Sequence, residues 1–333
     1  MVTLHIPSLR SQAKTLLAQT RYDPKKLVLL HTAVSLGATL LMTFINYLFS
    51  LQIADTGGLG GLGLRSLLET AQSVLELIVM LALPFWQIGL VYTALRWARS
   101  ENAEPAHLLQ GFRRFGTVFR FRLLYAFIFC ALGFSLIYIC TTVFMLTPWA
   151  EPLMAAFAPI VEAGTPEQME ALLTPALIDQ VTANMIPLLI LCGAVFAVVA
   201  IPLFYRLRFA EFAVMDGMRA TQSVVNSLRL THKNSLQILK IDLHFWWFYL
   251  LQALTLVVCY GDAILSMLGI SLPISKDAGF FLFYVLGILL QGILVWRYQD
   301  VLSTTYCLAY DTCRESIAPP EPVPEPANTP WIG

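Results

Sequence analysis

Long apolar runs alternate with short polar ones along this chain, and the polar ones come in two kinds. A helix needs about 20 mostly apolar residues to cross the hydrocarbon core of a bilayer. Six windows fall in that range, at about 27–51, 74–95, 121–146, 186–205, 245–268 and 280–296. The pattern predicts an all-α fold, a polytopic transmembrane helical bundle of six spans. The glycine-rich run Gly57-Gly58-Leu59-Gly60-Gly61-Leu62-Gly63 separates the first two windows.

Basic residues sort the connections. Five Lys or Arg precede the first window, six lie between the second and third, six between the fourth and fifth, and two follow the sixth. The three opposite connections hold only Arg65 and Lys276. Nineteen basic residues against two, switching sides at every span, predict that the basic segments and both termini are cytoplasmic. An odd number of spans would scramble this alternation. The connection from Pro148 to Ala183 agrees: it carries Glu151, Glu162, Glu167, Glu170 and Asp179, five prolines and no Lys or Arg. It reads as short helices and turns on the outer side. Trp149, Trp246, Trp247 and Trp296 stand at window ends, where interfacial tryptophans anchor spans.

Each basic segment also has an amphipathic helix leading into its span. Leu9, Ala13, Leu16 and Leu17 oppose Arg10 and Lys14. Leu108, Leu109, Phe112 and Phe115 oppose His107, Gln110, Arg113 and Arg114. Met218, Val225 and Leu228 oppose Arg219, Gln222, Asn226 and Arg229. Such helices either lie in the headgroup plane or pack as caps on the spans, and periodicity admits both. The first role makes Arg113, Arg114, Arg120, Arg122, Arg206 and Arg208 candidate contacts for anionic lipid headgroups. The expected layout is an amphipathic N-terminal segment (1–26), a six-helix transmembrane domain (27–313) and a disordered Pro/Glu-rich tail (314–333).

Composition narrows the class further. Of 333 residues, 57% are hydrophobic and only 13% charged, too few charges to cover a soluble fold of this size. Zero net charge offers no case for nucleic-acid binding. The six cysteines show no metal-binding spacing, so neither a metal nor another cofactor is expected. No signal-peptide layout precedes the first window, which reads as a signal anchor.

Ionisable residues inside spans are functional candidates. Asp262 falls in the outer half of the fifth window, where a bend at Gly261 would instead leave it as a wetted cap. Glu69 and Glu76, with Gln72 between, share one face of the second helix and form a candidate polar site with Asp262. His31 sits just past Lys25 and Lys26. Pro84 and Pro202 can kink their spans, and Pro187 can start one. The glycine run lacks the Gly-Lys-Ser/Thr of a phosphate loop, and no catalytic motif is found, so no catalytic residue is nominated.

One stretch carries a resemblance. Ser227-Leu228-Arg229, Leu239-Lys240-Ile241-Asp242-Leu243-His244-Phe245-Trp246-Trp247, Leu250-Leu251-Gln252-Ala253-Leu254-Thr255, then Tyr298 and Ser303-Thr304-Thr305-Tyr306 follow a familiar order. The chain here resembles a bacterial domain-of-unknown-function family of polytopic integral membrane proteins, common in Firmicutes. That family is distantly similar to the membrane domain of glycerophosphodiester phosphodiesterases. His244 stands where the family has serine, Trp246 where it has isoleucine, and Arg297 where it has proline. The resemblance implies a six-helix domain of the bacterial cell membrane, with no catalytic residues to carry over. The expectation is a non-enzymatic scaffold or envelope-associated module, with a membrane-protein partner or a second copy of itself. The alternative is a small-solute transporter or channel subunit.

Overall fold

The computed structural model describes residues 4–55, 61–162, 174–232, 234–267 and 276–316. The glycines at 57–60, the centre of the acidic connection, Lys233, the end of the fifth window and the Pro/Glu-rich tail beyond Ser316 lie outside them. So do the side chains of Arg65, Glu69, Asp179 and Lys276. Among the described residues every regular element is helical. In chain order these are α1 (Ile6–Gln19), α2 (Pro24–Asp55), α3 (Gly61–Ala98), a 3-10 turn (Pro105–Leu109), α4 (Gln110–Arg113), α5 (Phe115–Met145) and α6 (Ala150–Glu162). They continue as α7 (Pro175–Leu207), α8 (Ala210–Met215), α9 (Ala220–Thr231), α10 (Ser235–His244), α11 (Trp246–Cys259), α12 (Gly261–Met267) and α13 (Lys276–Glu315).

Among the described residues five stretches are long and apolar enough to cross a membrane: Pro24–Leu48, Thr70–Ala98, Phe115–Met145, Gln180–Met215 and Ala278–Glu315. The sixth exists only as a bent one, with α10 and α11 meeting at 66°. At 1.5 Å per residue, α11 alone is about 21 Å long, short of a hydrocarbon core of about 30 Å. The chain then breaks at Tyr260 and resumes as α12, so the fifth expected window is two helices rather than one. The fourth window begins earlier than expected. Pro187 lies inside α7, which starts at Pro175 with Thr174 accepting the Leu177 N–H as N-cap.

The chain divides into two compact units. Unit 1 takes the chain up to Phe119 and from Phe209 onward, and unit 2 is Arg120–Arg208. In unit 2, Leu153 and Ala150 of α6 bury against Phe144, with Phe157, Met185 and Leu188 around them. Asn184 Nδ2 donates to the Pro152 carbonyl at 3.3 Å, tying α7 to α6.

Unit 1 has its tightest core at its basic end, not midway along the spans. Trp97, Leu108, Phe209, Tyr306 and Tyr310 are among its most buried side chains. Midway along, Ile78, Leu254, Leu286 and Ile293 are exposed. Water drives apolar burial only where water is present, and lipid offers no such gain to helices in the bilayer. The last helix serves both regimes. α13 runs about 60 Å, past the expected end at 296, because no helix breaker follows before Pro319 and its polar residues find partners. Lys25 Nζ pairs with Asp300 at 2.8 Å, and Trp296 Nε1 donates to the Lys25 carbonyl at 3.2 Å.

The amphipathic lead-in helices resolve differently from one another. α1 buries Ile6, Leu9, Ala13 and Leu17 and packs on α13, α3 and α10. Arg10 lies 5.0 Å over the Phe245 ring. In the second, Leu108 is buried while Leu109, Phe112 and Phe115 are exposed, with Phe85 stacked on both phenylalanines. A Cβ on Gly89 would overlap the Leu108 carbonyl, so this approach requires glycine. The third corrects the expected face. α9 buries Ala220, Ser223, Val224, Ser227, Leu230 and Thr231 and leaves Val225 exposed. Small hydroxyl side chains permit this, because Ser223 and Thr231 donate back to the helix and Ser227 accepts the Phe209 N–H.

Candidate functional site

The basic end of unit 1 is fastened by one carboxylate. Gly217, at φ +99°, turns the chain after α8 and leaves Asp216 beside α3 and α13. Arg99 reaches Asp216 at 2.6 Å and grips Asp311 with two nitrogens, at 2.8 and 3.2 Å. Arg314 pairs with the other oxygen of Asp216, and Tyr310 donates to it at 3.3 Å. Burial works to raise the Asp216 pKa, but the Arg99 hydrogen bond and charge, with Arg314 and Tyr310, outweigh it and hold the carboxyl below its usual range. Hydrogen bonds from Arg99 to Asp311 and Asp216 keep the guanidinium more firmly protonated than usual. A cleft of about 190 Å³ opens beside this group, lined by Tyr92, Arg96, Arg99, Glu101, Arg114 and Asp216.

A second carboxylate secures the bend. Asp242 accepts hydrogen bonds from Tyr249 at 2.5 Å and from Tyr306, joining α10, α11 and α13 where the helix turns by 66°. Asp242, Ser227 and Tyr306 all belong to the sequence pattern quoted above, and each ties one element to another.

The third feature lies within the spans. α2 carries polar residues every fourth position, His31, Ser35, Thr39 and Thr43, followed by Asn46. Each hydroxyl donates to the carbonyl four residues back, at 3.0 Å. Asn46 Nδ2 donates to Glu76 of α3 at 2.9 Å. At the His31 end of this stripe is a cavity of about 240 Å³ among α2, α3 and α13, lined by His31, Thr32, Ser35, Thr39, Gln87 and Gln291 with apolar neighbours. His31 is only 7% exposed and stacks on Trp86, with ring planes 3° apart and centroids 5.6 Å apart. Trp86 Nε1 donates to the His31 carbonyl at 3.0 Å, which fixes that turn of α2. Both ring nitrogens of His31 and the Thr32 hydroxyl are buried without a partner.

The sequence-predicted residues do not converge here. Glu76 is exposed and accepts from Asn46 and, at 3.2 Å, from Gln72. Asp262 is half-buried in the first turn of α12 and lines neither cavity. The side chain of Glu69 lies outside the described residues. Of the candidate headgroup contacts, Arg113 and Arg120 are exposed. Arg114 instead donates to the Met215 carbonyl at 2.8 Å. Arg122, Arg206 and Arg208 are half-buried, Arg122 lying 5.9 Å over Phe121 and Arg208 lying 5.4 Å over Phe204. Sequence reasoning named His31 but missed Asp216, Asp242 and the cavity. The one available signal was the four-residue spacing of polar positions in α2. No group of three or more His, Cys, Asp or Glu among the described residues is placed to hold a metal ion.

An all-helical bundle with five apolar spans, a bent sixth and a cluster of ion pairs at one end is a multi-pass membrane protein. Comparison with family models, with curated proteins and with solved structures finds no match to this chain.

Proposed function

We propose that this protein is a non-enzymatic scaffold of the bacterial cell membrane, six-spanning, with both termini and the basic end of unit 1 in the cytoplasm. The observation that carries this reading is the way unit 1 uses its charges. Asp216, Asp300 and Asp311 are paired with Arg99, Arg314 and Lys25, so its strongest electrostatic contacts hold helix ends in register. Such a platform presents a fixed surface on which Arg113 remains exposed for anionic headgroups or a partner's acidic groups, and in unit 2 Arg120 is exposed as well. The positive-inside distribution supports the orientation. Photo-crosslinking residues placed at Arg113 and Arg120 in cells test it. Discrete protein adducts at those positions, lost when the substituted residue is moved to the lipid-facing Leu286, are the expected result. Lipid adducts alone would remove the scaffold reading.

The polar stripe on α2 favours a second reading, a small-solute transporter or channel subunit. It runs from His31 to the Asn46–Glu76 pair, which places hydrogen-bonding groups along the length of one span. Solute or proton flux into proteoliposomes, abolished by Thr39→Val, would establish it in place of the scaffold.

A further inference from the structure

We infer that the cavity among α2, α3 and α13 binds the neutral, hydrogen-bonding headgroup of a membrane-dissolved amphiphile, of the diacylglycerol or quinol type. The lining decides the chemistry. Among the described residues no carboxylate lines it to hold a cation, and no Lys or Arg to hold an anion. Instead it offers the amides of Gln87 and Gln291, and behind the same wall the two His31 ring nitrogens and the Thr32 hydroxyl are buried without a partner. Ser35 and Thr39 spend their hydrogens on backbone carbonyls, leaving oxygen lone pairs to accept. A guest must therefore both donate and accept without carrying charge. A buried polar group without a partner costs roughly 1–3 kcal/mol, and three such atoms lie just behind this wall.

Position decides the carrier. His31 lies seven residues after Pro24, about 10 Å along the helix, and Trp296 and Lys25 mark the nearby interface. Gln87 is exposed on α3, so the cavity reaches the surface of a span rather than closing inside it. A volume of about 240 Å³ is below the roughly 300 Å³ of the smallest drug-sized pockets. It suits one headgroup whose tail stays in lipid. Gly292 forms part of the wall, and a side chain there would strike Leu36 and stand beside Thr32. Such a site is independent of whether the chain acts as a scaffold.

The test uses the full chain in phosphatidylcholine nanodiscs, with a diazirine-bearing diacylglycerol in one arm and an azidoquinone in the other. Saturable labelling of peptides from α2, α3 or α13 is expected in at least one arm, and the arm that saturates names the source. Excess unlabelled neutral headgroup, Gly292→Leu and Gln291→Leu should each reduce labelling about tenfold or more, equivalent to about 1.4 kcal/mol. Lys14→Gln, exposed on α1, should leave it unchanged. Labelling that rises linearly with probe in both arms, or that phosphatidylglycerol displaces equally well, would overturn the inference. The competition in unsubstituted protein decides the matter even where a substituted chain fails to fold.

Discussion

Asp216 meets two guanidinium groups and a tyrosine hydroxyl while its own side chain is 11% exposed. Removing it takes the ion-pair partner from Arg314 and leaves Arg99 with Asp311 alone. Asp216→Ala should therefore destabilise unit 1 by about 2–3 kcal/mol, below the full cost of breaking a buried pair because both arginines are partly solvated. Unfolding in mixed micelles measures it. The pH dependence has a definite sign. The folded pKa of Asp216 is lowered, so its contribution is complete above the unfolded value of about 3.9 and is lost as pH falls through the folded value. Asp216→Ala should flatten that acid limb. His107 behaves alike: burial first, then the Arg96 charge, lowers its pKa, and neutral Nδ1 accepts the Glu104 N–H at 2.7 Å. Protonation at falling pH removes that acceptor, and amide exchange at Glu104 should rise while exchange within α3 does not.

Helices in this chain are legible where apolar length defines them and obscure where they stop. α2, α3 and α7 contain their expected windows, but α13 overruns and the fifth window breaks in two. The bend that precedes it, between α10 and α11, depends on Asp242, which accepts hydrogen bonds from Tyr249 and Tyr306 and so holds the bend against α13. Tyr306 lies 64 positions away, so no local pattern announces it. Tyr306→Phe should cost about 2 kcal/mol, as expected for a hydrogen bond to a charged group. Combined with Asp242→Asn, the two losses should fall well short of additive in a double-mutant cycle. Additive losses would mean that the pair does not act as a unit. α9 teaches a related lesson, because its buried side is chosen by small hydroxyl residues that scan as polar.

On the scale of the molecule, the proposed orientation has a direct test. Reporter insertions after Glu162, in the acidic connection, should read as external, and fusions after Ser316 as cytoplasmic. A cytoplasmic signal after Glu162 would invert the assignment of the basic segments. The division into two units adds an expectation of its own. Leu153→Ala should loosen α6 and α7, raising amide exchange in unit 2 while leaving exchange at Trp97 and Tyr310 unchanged.

The sequence by itself determined that this chain is helical and spans a bilayer, because apolar length and the sidedness of charge are local, additive properties. Tertiary structure alone decided the rest. The sixth span is bent, α1 and α9 pack as core while the second lead-in segment stays mostly exposed, Asp216 and Asp242 are fasteners, and His31 lines a polar cavity. Each of these depends on pairs distant in sequence, such as Arg99 with Asp216 or His31 with Trp86. A charge in the sequence does not say whether its partner is water, lipid or another helix. Only the fold supplies that partner.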